Sequence, residues 1–307
     1  MQYLFFDIEG ANCYNFISKM CTFGYVITNE KFKVKSKIDV VMNPDSPFDK
    51  HIVLENMNAY PLSYYSSRPP FNYFYKSLKK ILTEESQLIV GWSIENDVKY
   101  IYDACKRYNL GQIKYKYIDM QKVYMKVFDL KNQPSLESVC EENNIIVKVA
   151  HKSDDDALLT MLISKFLCKK LNISLEQMFE QFVECVSDVD EFSAHQLTDE
   201  EILVKINRRK INNMIKTCKP KKKKSDRKIK EDDIFAFDIN VIDNHHEDVK
   251  KLIHYIIDCG AKCSNNVCKA TKIICLKEQK KNYKSEIFEN VKIVDFEKII
   301  NSIKQTI

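Results

Sequence analysis

The chain has 307 residues, is 45% hydrophobic and 30% charged with few glycines and prolines, and carries a formal net charge of +5. This is the composition of a globular protein long enough to bury a full core in more than one domain. No apolar run approaches the ~20 residues of a membrane span. The N-terminus has no secretory pattern, and the eleven cysteines lack disulfide-scaffold spacing. They read as reduced thiols of a cytoplasmic protein.

The first predicted element is a buried strand, Tyr3 to Phe6, running into Asp7-Ile8-Glu9-Gly10. Side chains at i and i+2 of a strand share a face, so Asp7 and Glu9 stand side by side. Two such acids repel and lose solvation, and a divalent cation is the usual compensation. A lone D-x-E also fits a strand end that simply reaches water. Ile17 to Ile27 and Phe32 to Met42 predict two more strands, the latter alternating charged and apolar residues. Asn43-Pro44-Asp45-Ser46-Pro47 breaks the third strand, so the three read as an antiparallel meander.

Tyr60, Tyr64 and Tyr65 fall on a loop, where tyrosines either stack on bases or pack beneath the loop. A helix follows over 71–82, then a short strand over 87–91. That strand leads through Trp92-Ser93-Ile94-Glu95-Asn96 to Asp97, at the start of a helix over 98–108. Tyr115 to Asp119 predicts another strand, and Leu136 to Asn143 a helix capped by Ser135. The run His151-Lys152-Ser153-Asp154-Asp155-Asp156 opens a helix whose apolar spacing begins near Ser153. Asp154 and Asp155 suit the positive end of a helix dipole. Asp156 faces inward with Leu159 and Ile163.

Taken together, Asp7-x-Glu9, Asp97 about ninety residues on, and His151-x-x-x-x-Asp156 resemble the three-motif signature of the DEDDh 3′-to-5′ exonucleases, across roughly residues 1–170. The resemblance implies an α/β fold, a ribonuclease H-like mixed five-stranded sheet flanked by helices. It also implies two ions, Mg2+ or Mn2+, held by Asp7, Glu9, Asp97 and Asp156, with His151 as general base. The sister family carries a tyrosine where this chain has Lys152. Two departures stand out: Gly10 replaces the usual threonine after D-x-E, and Trp92-Ser93 replace the usual His-Asn before the second-motif Asp. Trp92 is therefore a candidate nucleic-acid contact.

Helices are expected over 171–186 and 197–215, giving a helical extension over 171–218 that packs on the nuclease domain. Residues 219–233 form a charged linker, and Arg208 to Lys230 holds 12 Lys or Arg against one acid, Asp226, so the rest of the chain is net acidic. Lys221, Lys222, Lys223 and Lys224 are either a solvated tether or a phosphate clamp. From 234 to 307 the predicted strand and helix order, with Gly260 after the first helix, resembles a BRCT domain. That implies DNA repair or replication and a protein partner for this module. The expected substrate is nucleic acid, DNA rather than RNA, with release of nucleoside 5′-monophosphates. Two alternatives stay open: an RNA-trimming enzyme, and a non-catalytic binding protein on a nuclease scaffold.

Overall fold

The computed structural model describes residues 1–54, 59–145 and 152–304. The chain divides into two compact units, 1–196 and 197–307.

The first unit is built on β1 (Gln2–Asn12), β2 (Lys19–Asn29), β3 (Val34–Val41), α1 (Lys50–Leu54), α2 (Leu62–Ser66), α3 (Phe71–Leu82), β4 (Gln87–Gly91), α4 (Glu95–Arg107), β5 (Lys116–Asp119), α5 (Met120–Val127), α6 (Leu136–Glu142), α7 (Ser153–Leu171), α8 (Leu175–Gln181), β6 (Val186–Asp188) and α9 (Val189–Ala194). Its sheet runs β3-β2-β1-β4-β5-β6. β1, β2 and β3 form the antiparallel meander, while β4 and β5 add in parallel to β1. This is the ribonuclease H-like arrangement, with six strands where five were expected. The additional strand, β6, pairs antiparallel to β5. The helix expected over 171–186 reaches only its first residue, Val186, and no element was expected over 187–188; the open edge of β5 makes the strand, because unpaired strand edges take up extended neighbours.

Alternation along β1 decides how the core divides. Tyr3 and Phe5 point to one face, where they meet Leu159, Ile163 and Leu167 of α7. Leu4, Phe6 and Ile8 point to the other, against Val98 and Ile101 of α4. Burying both faces with large apolar side chains is the main stabilising term of such a sheet. Asp7 and Glu9 continue the Tyr3–Phe5 series, so they lie on the face that α7 covers.

The second unit comprises α10 (Asp199–Thr217), β7 (Ile234–Phe237), α11 (Ile239–Asn244), α12 (His246–Asp258), β8 (Lys262–Cys263), β9 (Lys272–Cys275), β10 (Lys292–Asp295) and α13 (Phe296–Lys304). Its sheet is all parallel in the order β10-β9-β7-β8. Gly260 ends α12 at a positive φ of 92°, a conformation glycine adopts without a Cβ penalty.

Two expectations change here. The helical stretch over 171–218 is divided: Leu175 and Met178 of α8 sit in the first unit's core, while Ile211 and Ile215 of α10 sit in the second unit's. The basic segment 219–233 is a strap on the second unit rather than a free tether. The backbone N–H of Lys221 donates to the Ile257 carbonyl, and those of Lys223 and Lys224 to the Asp258 carbonyl. The Asp258 carbonyl is one that the end of α12 leaves unpaired, while the Ile257 carbonyl also accepts from the Gly260 N–H. Ile229 is buried in the core and Tyr255 donates to Asp226. One apolar anchor and a helix end thus fix a segment whose composition suggested solvation.

Among the described residues no helix is long and apolar enough to cross a membrane.

Candidate active site

Three strands and one helix assemble the acidic centre. In the sheet register Asp7 pairs with Gly24, and Gly24 with Asp39. Directly paired residues present their side chains on one face. Asp7 and Asp39 therefore flank a position with no side chain, and the start of α7 occupies that gap. A β-carbon on Gly24 would lie 2.0 Å from both the Asp154 nitrogen and the Ser153 carbonyl carbon. Glycine here permits helix-on-strand contact at backbone distance. Ser153 Oγ, fully buried, lies 2.8 Å from Thr22 Oγ1 and 2.9 Å from Asp39 Oδ1, pinning the helix start to the sheet.

The docking separates three consecutive acids. Asp154 pairs with Lys37 at 3.0 Å and Lys152 at 3.0 Å, and Asp155 pairs with Lys37. Asp156 has no cationic partner among the described residues. Instead its carboxylate joins those of Asp7 and Glu9, with one oxygen from each lying within 4.8 Å of the others. Among the described residues this is the one group of three or more His, Cys, Asp or Glu side chains close enough to share an ion.

Asp97 approaches from the opposite face of the sheet, in the first turn of α4. β4 pairs with β1 only as far as Phe5, so the Ile8 N–H lacks a partner from β4. Asp97 Oδ1 accepts it at 3.1 Å. The loop before α4 is held in turn by Asp119, which accepts from Ser93 N–H at 3.1 Å and from Gln121 N–H at 3.0 Å. Ser93 has a positive φ of 52°.

The electrostatics follow from burial and crowding. Burial, then Asp97, Glu9 and Asp156, push the Asp7 carboxyl well above the carboxylate range. Burial and Asp156 push Glu9 up to about 7; burial and Asp155 do the same for Asp156. Asp97 is also raised, by burial and by Glu9, against the lowering effect of the Ile8 N–H. A cluster of oxygen donors with raised pKa values and no basic partner among the described residues fits a hard divalent cation, whose charge would favour the ionised forms.

The other candidates fare differently. His151 lies outside the described residues. Trp92 is not open to a base: it is 8% exposed, part of the core, with its ring 5.9 Å from that of Tyr124. An indole following a buried strand is drawn inward by its apolar area. Lys221, Lys222, Lys223 and Lys224 are exposed. Of the loop tyrosines, Tyr65 is buried against Phe48 and Tyr60. Tyr60 stacks on Tyr64 at 5.1 Å and donates to Asp39 at 2.7 Å, and Arg68 sits 3.9 Å from the Tyr64 ring centre.

Two residues at this centre escaped sequence reasoning. Asp39 adds negative charge to Asp7 and Glu9. Its one signal was an acid on the lysine-rich side of the third strand. Gly24 had no signal, since nothing local announces a helix that arrives from residue 153.

The sequence matches no protein-family model and no curated protein. The fold is similar to solved structures of E. coli exonuclease I with a dT13 oligonucleotide (17% identity, TM-score 0.47, over 54% of this chain and 41% of that one). It is also similar to a 3′-exonuclease described for 3′-end-specific recognition of a histone mRNA stem-loop (12% identity, TM-score 0.48, over 55% of this chain and 64% of that one). The matched region thus spans about two fifths of the exonuclease I length.

Proposed function

We propose that the chain is a metal-dependent 3′-to-5′ exonuclease of the DEDDh type, hydrolysing phosphodiester bonds at 3′ ends and releasing nucleoside 5′-monophosphates. One observation carries the reading: the oxygens of Asp7, Glu9 and Asp156 converge within 4.8 Å without a cationic partner among the described residues. A scaffold that only bound partners would have no reason to keep such a repulsive cluster.

Asp7, Glu9 and Asp156 would hold one divalent ion, and Asp7 with Asp97 a second. Magnesium or manganese suits the all-oxygen donor set. When bound, such ions stabilise negative charge on the attacking and leaving oxygens of the displacement. The chain's own contribution is position. The sheet fixes Asp7 and Glu9, Gly24 admits α7, and Lys37 and Lys152 neutralise Asp154 and Asp155. Asp156 is thereby the helix-start acid left for the site. His151, one residue before Lys152 in sequence, would take the proton from the attacking water, a role for which an imidazole pKa near neutrality is suited.

DNA is the favoured substrate, in repair or replication in the cytoplasm. The support is the second unit, whose all-parallel β10-β9-β7-β8 order accords with a BRCT-like module. By that likeness the module would also dock a protein partner. Lys221 to Lys224 would bind phosphates.

The test uses 5′-labelled single-stranded DNA and RNA of one sequence, with magnesium, manganese or chelator, and with Asp7→Ala and His151→Ala as controls. A ladder shortening from the 3′ end of DNA, lost with chelator and in both variants, is the expected result. Shortening of RNA alone moves the substrate to RNA. Full activity in Asp7→Ala overturns the assignment.

A further inference from the structure

On the second unit a cleft of about 160 Å³ lies between the strap, the starts of β7, β9 and β10, and the later part of α13. Its floor is apolar, with Ile229, Phe235 and Val294, and its rim carries Lys228, Lys272, Lys292 and Lys298. Lys272 and Lys292 are direct partners on adjacent strands, so two like charges stand side by side on one face. That pairing is destabilising unless negative charge is nearby.

The protein supplies negative charge for one lysine. Lys272, the least exposed of the four, bonds Asp233 at 2.5 Å and the Lys228 carbonyl at 2.8 Å. The acids of this rim are otherwise engaged. Asp226 accepts from Tyr255 at 3.0 Å and from the Lys228 N–H at 2.8 Å, and Asp233 also accepts from the Lys230 N–H at 2.7 Å. Lys228, Lys292 and Lys298 are exposed and have no ion-pair partner among the described residues. The strap that contributes Lys228 begins with the exposed Lys221 to Lys224, held at the end of α12.

We infer that this end of the second unit is a second nucleic-acid site, a basic track for the sugar–phosphate backbone that runs from Lys221 along the strap to Lys228, Lys292 and Lys298. The distribution of charge selects the ligand. A single phosphate on a protein calls for a closed socket with a buried free cation, and here the most buried cation is already neutralised. Exposed cations strung along a face instead match a chain with one charge per nucleotide. Binding here is sequence-independent, since lysines offer charge without base readout. The inference deepens the nuclease reading by giving the second unit a role in holding the substrate.

The experiment uses the full chain carrying Asp7→Ala, so that the strand survives, and measures anisotropy of a labelled single-stranded DNA across a salt titration. Each neutralised phosphate contributes about 0.7 to the slope of log affinity against log salt on single strands. Lys228→Ser, Lys292→Ser and Lys298→Ser together should lower the slope by about two, and the three Lys→Arg changes should keep it. If the triple serine variant melts early, single Lys292→Glu serves, with the slope again falling. An unchanged slope in a folded variant overturns the inference. So does displacement of the strand by a phosphoserine peptide at lower concentration than by an unlabelled strand of equal charge. The nuclease reading fails separately, when the unmodified chain does not shorten labelled strands although the slope effect is present.

Discussion

The hydroxyl of Tyr100 fills the space beside Gly10: a β-carbon on that glycine would lie 2.0 Å from Tyr100 Oη and 2.5 Å from Cζ. The glycine after Asp7-Ile8-Glu9 and the tyrosine three residues after Asp97 are thus one feature seen from two motifs. Gly10→Thr forces the ring aside and strains the strand that carries Glu9. Overpacking of this kind costs about 1–3 kcal/mol. The expected outcome is a lower melting temperature and at least a tenfold loss of nuclease rate, both largely recovered in Gly10→Thr/Tyr100→Ala. No recovery in the double variant would show that position 10 acts by another route.

Gly24→Ala should be worse and beyond rescue. The atoms its β-carbon meets belong to the backbone of Ser153 and Asp154, which cannot rotate away as a ring can. The helix must lift, carrying Asp156 with it. Calorimetric titration with manganese should show at least a tenfold weaker site, alongside a destabilisation at or above the upper end of the overpacking range.

Consecutive acids at the start of α7 predict a sharp contrast. Asp156→Asn removes a carboxylate from the convergent set, and activity should fall by more than the ~10–100-fold typical of losing a ligand's supporting partner. Asp155→Asn removes a partly exposed ion-pair partner of Lys37, with an expected effect under about 1 kcal/mol on stability and little on rate. Single-turnover kinetics of the two variants check it.

The pH dependence of the metal-free chain has a defined sign. Glu9 and Asp156 titrate near 7 in the fold against about 4 when unfolded. The folded state therefore binds more protons between those values, and stability falls as pH rises across them. This contribution is fully present below about 4 and is lost as pH passes through about 7. Chelated protein should melt at a higher temperature at pH 5 than at pH 8, by more than Glu9→Gln/Asp156→Asn does. Added magnesium should restore the pH 8 value of the unsubstituted chain.

Local signals were sufficient wherever a neighbour in sequence set the structure. The 3.6-residue spacing over Phe71–Leu82 and the turn-bounded run Gln87–Gly91 mark a helix and a strand that the fold contains at those bounds. Ser135 caps its helix by accepting from Ser138 N–H, as its position before Leu136 suggested. The order of the acids also pointed to a shared centre, because like charges set at strand and helix ends repel when brought together unless a cation joins them. What stayed hidden depends on residues far apart. The open edge of β5 makes Val186–Asp188 a strand, the end of α12 holds the basic strap, and the Tyr124 contact takes Trp92 inward. Asp39 enters the centre only because β3 pairs in one register with β2, and a register across two turns is not written in either strand alone.

The dependence on Gly24 also fixes when the centre comes into being. Asp7 and Glu9 leave the ribosome first, yet the carboxylate that completes their group arrives about 150 residues later, on a helix that must seat against an already paired β2. A nascent chain that stops short of α7 holds Asp7 and Glu9 without the acid that completes their group. On the proposed reading, cleavage would therefore wait until α7 has seated on β2, and a chain stopping short of Asp156 would leave the nucleic acid around it uncut.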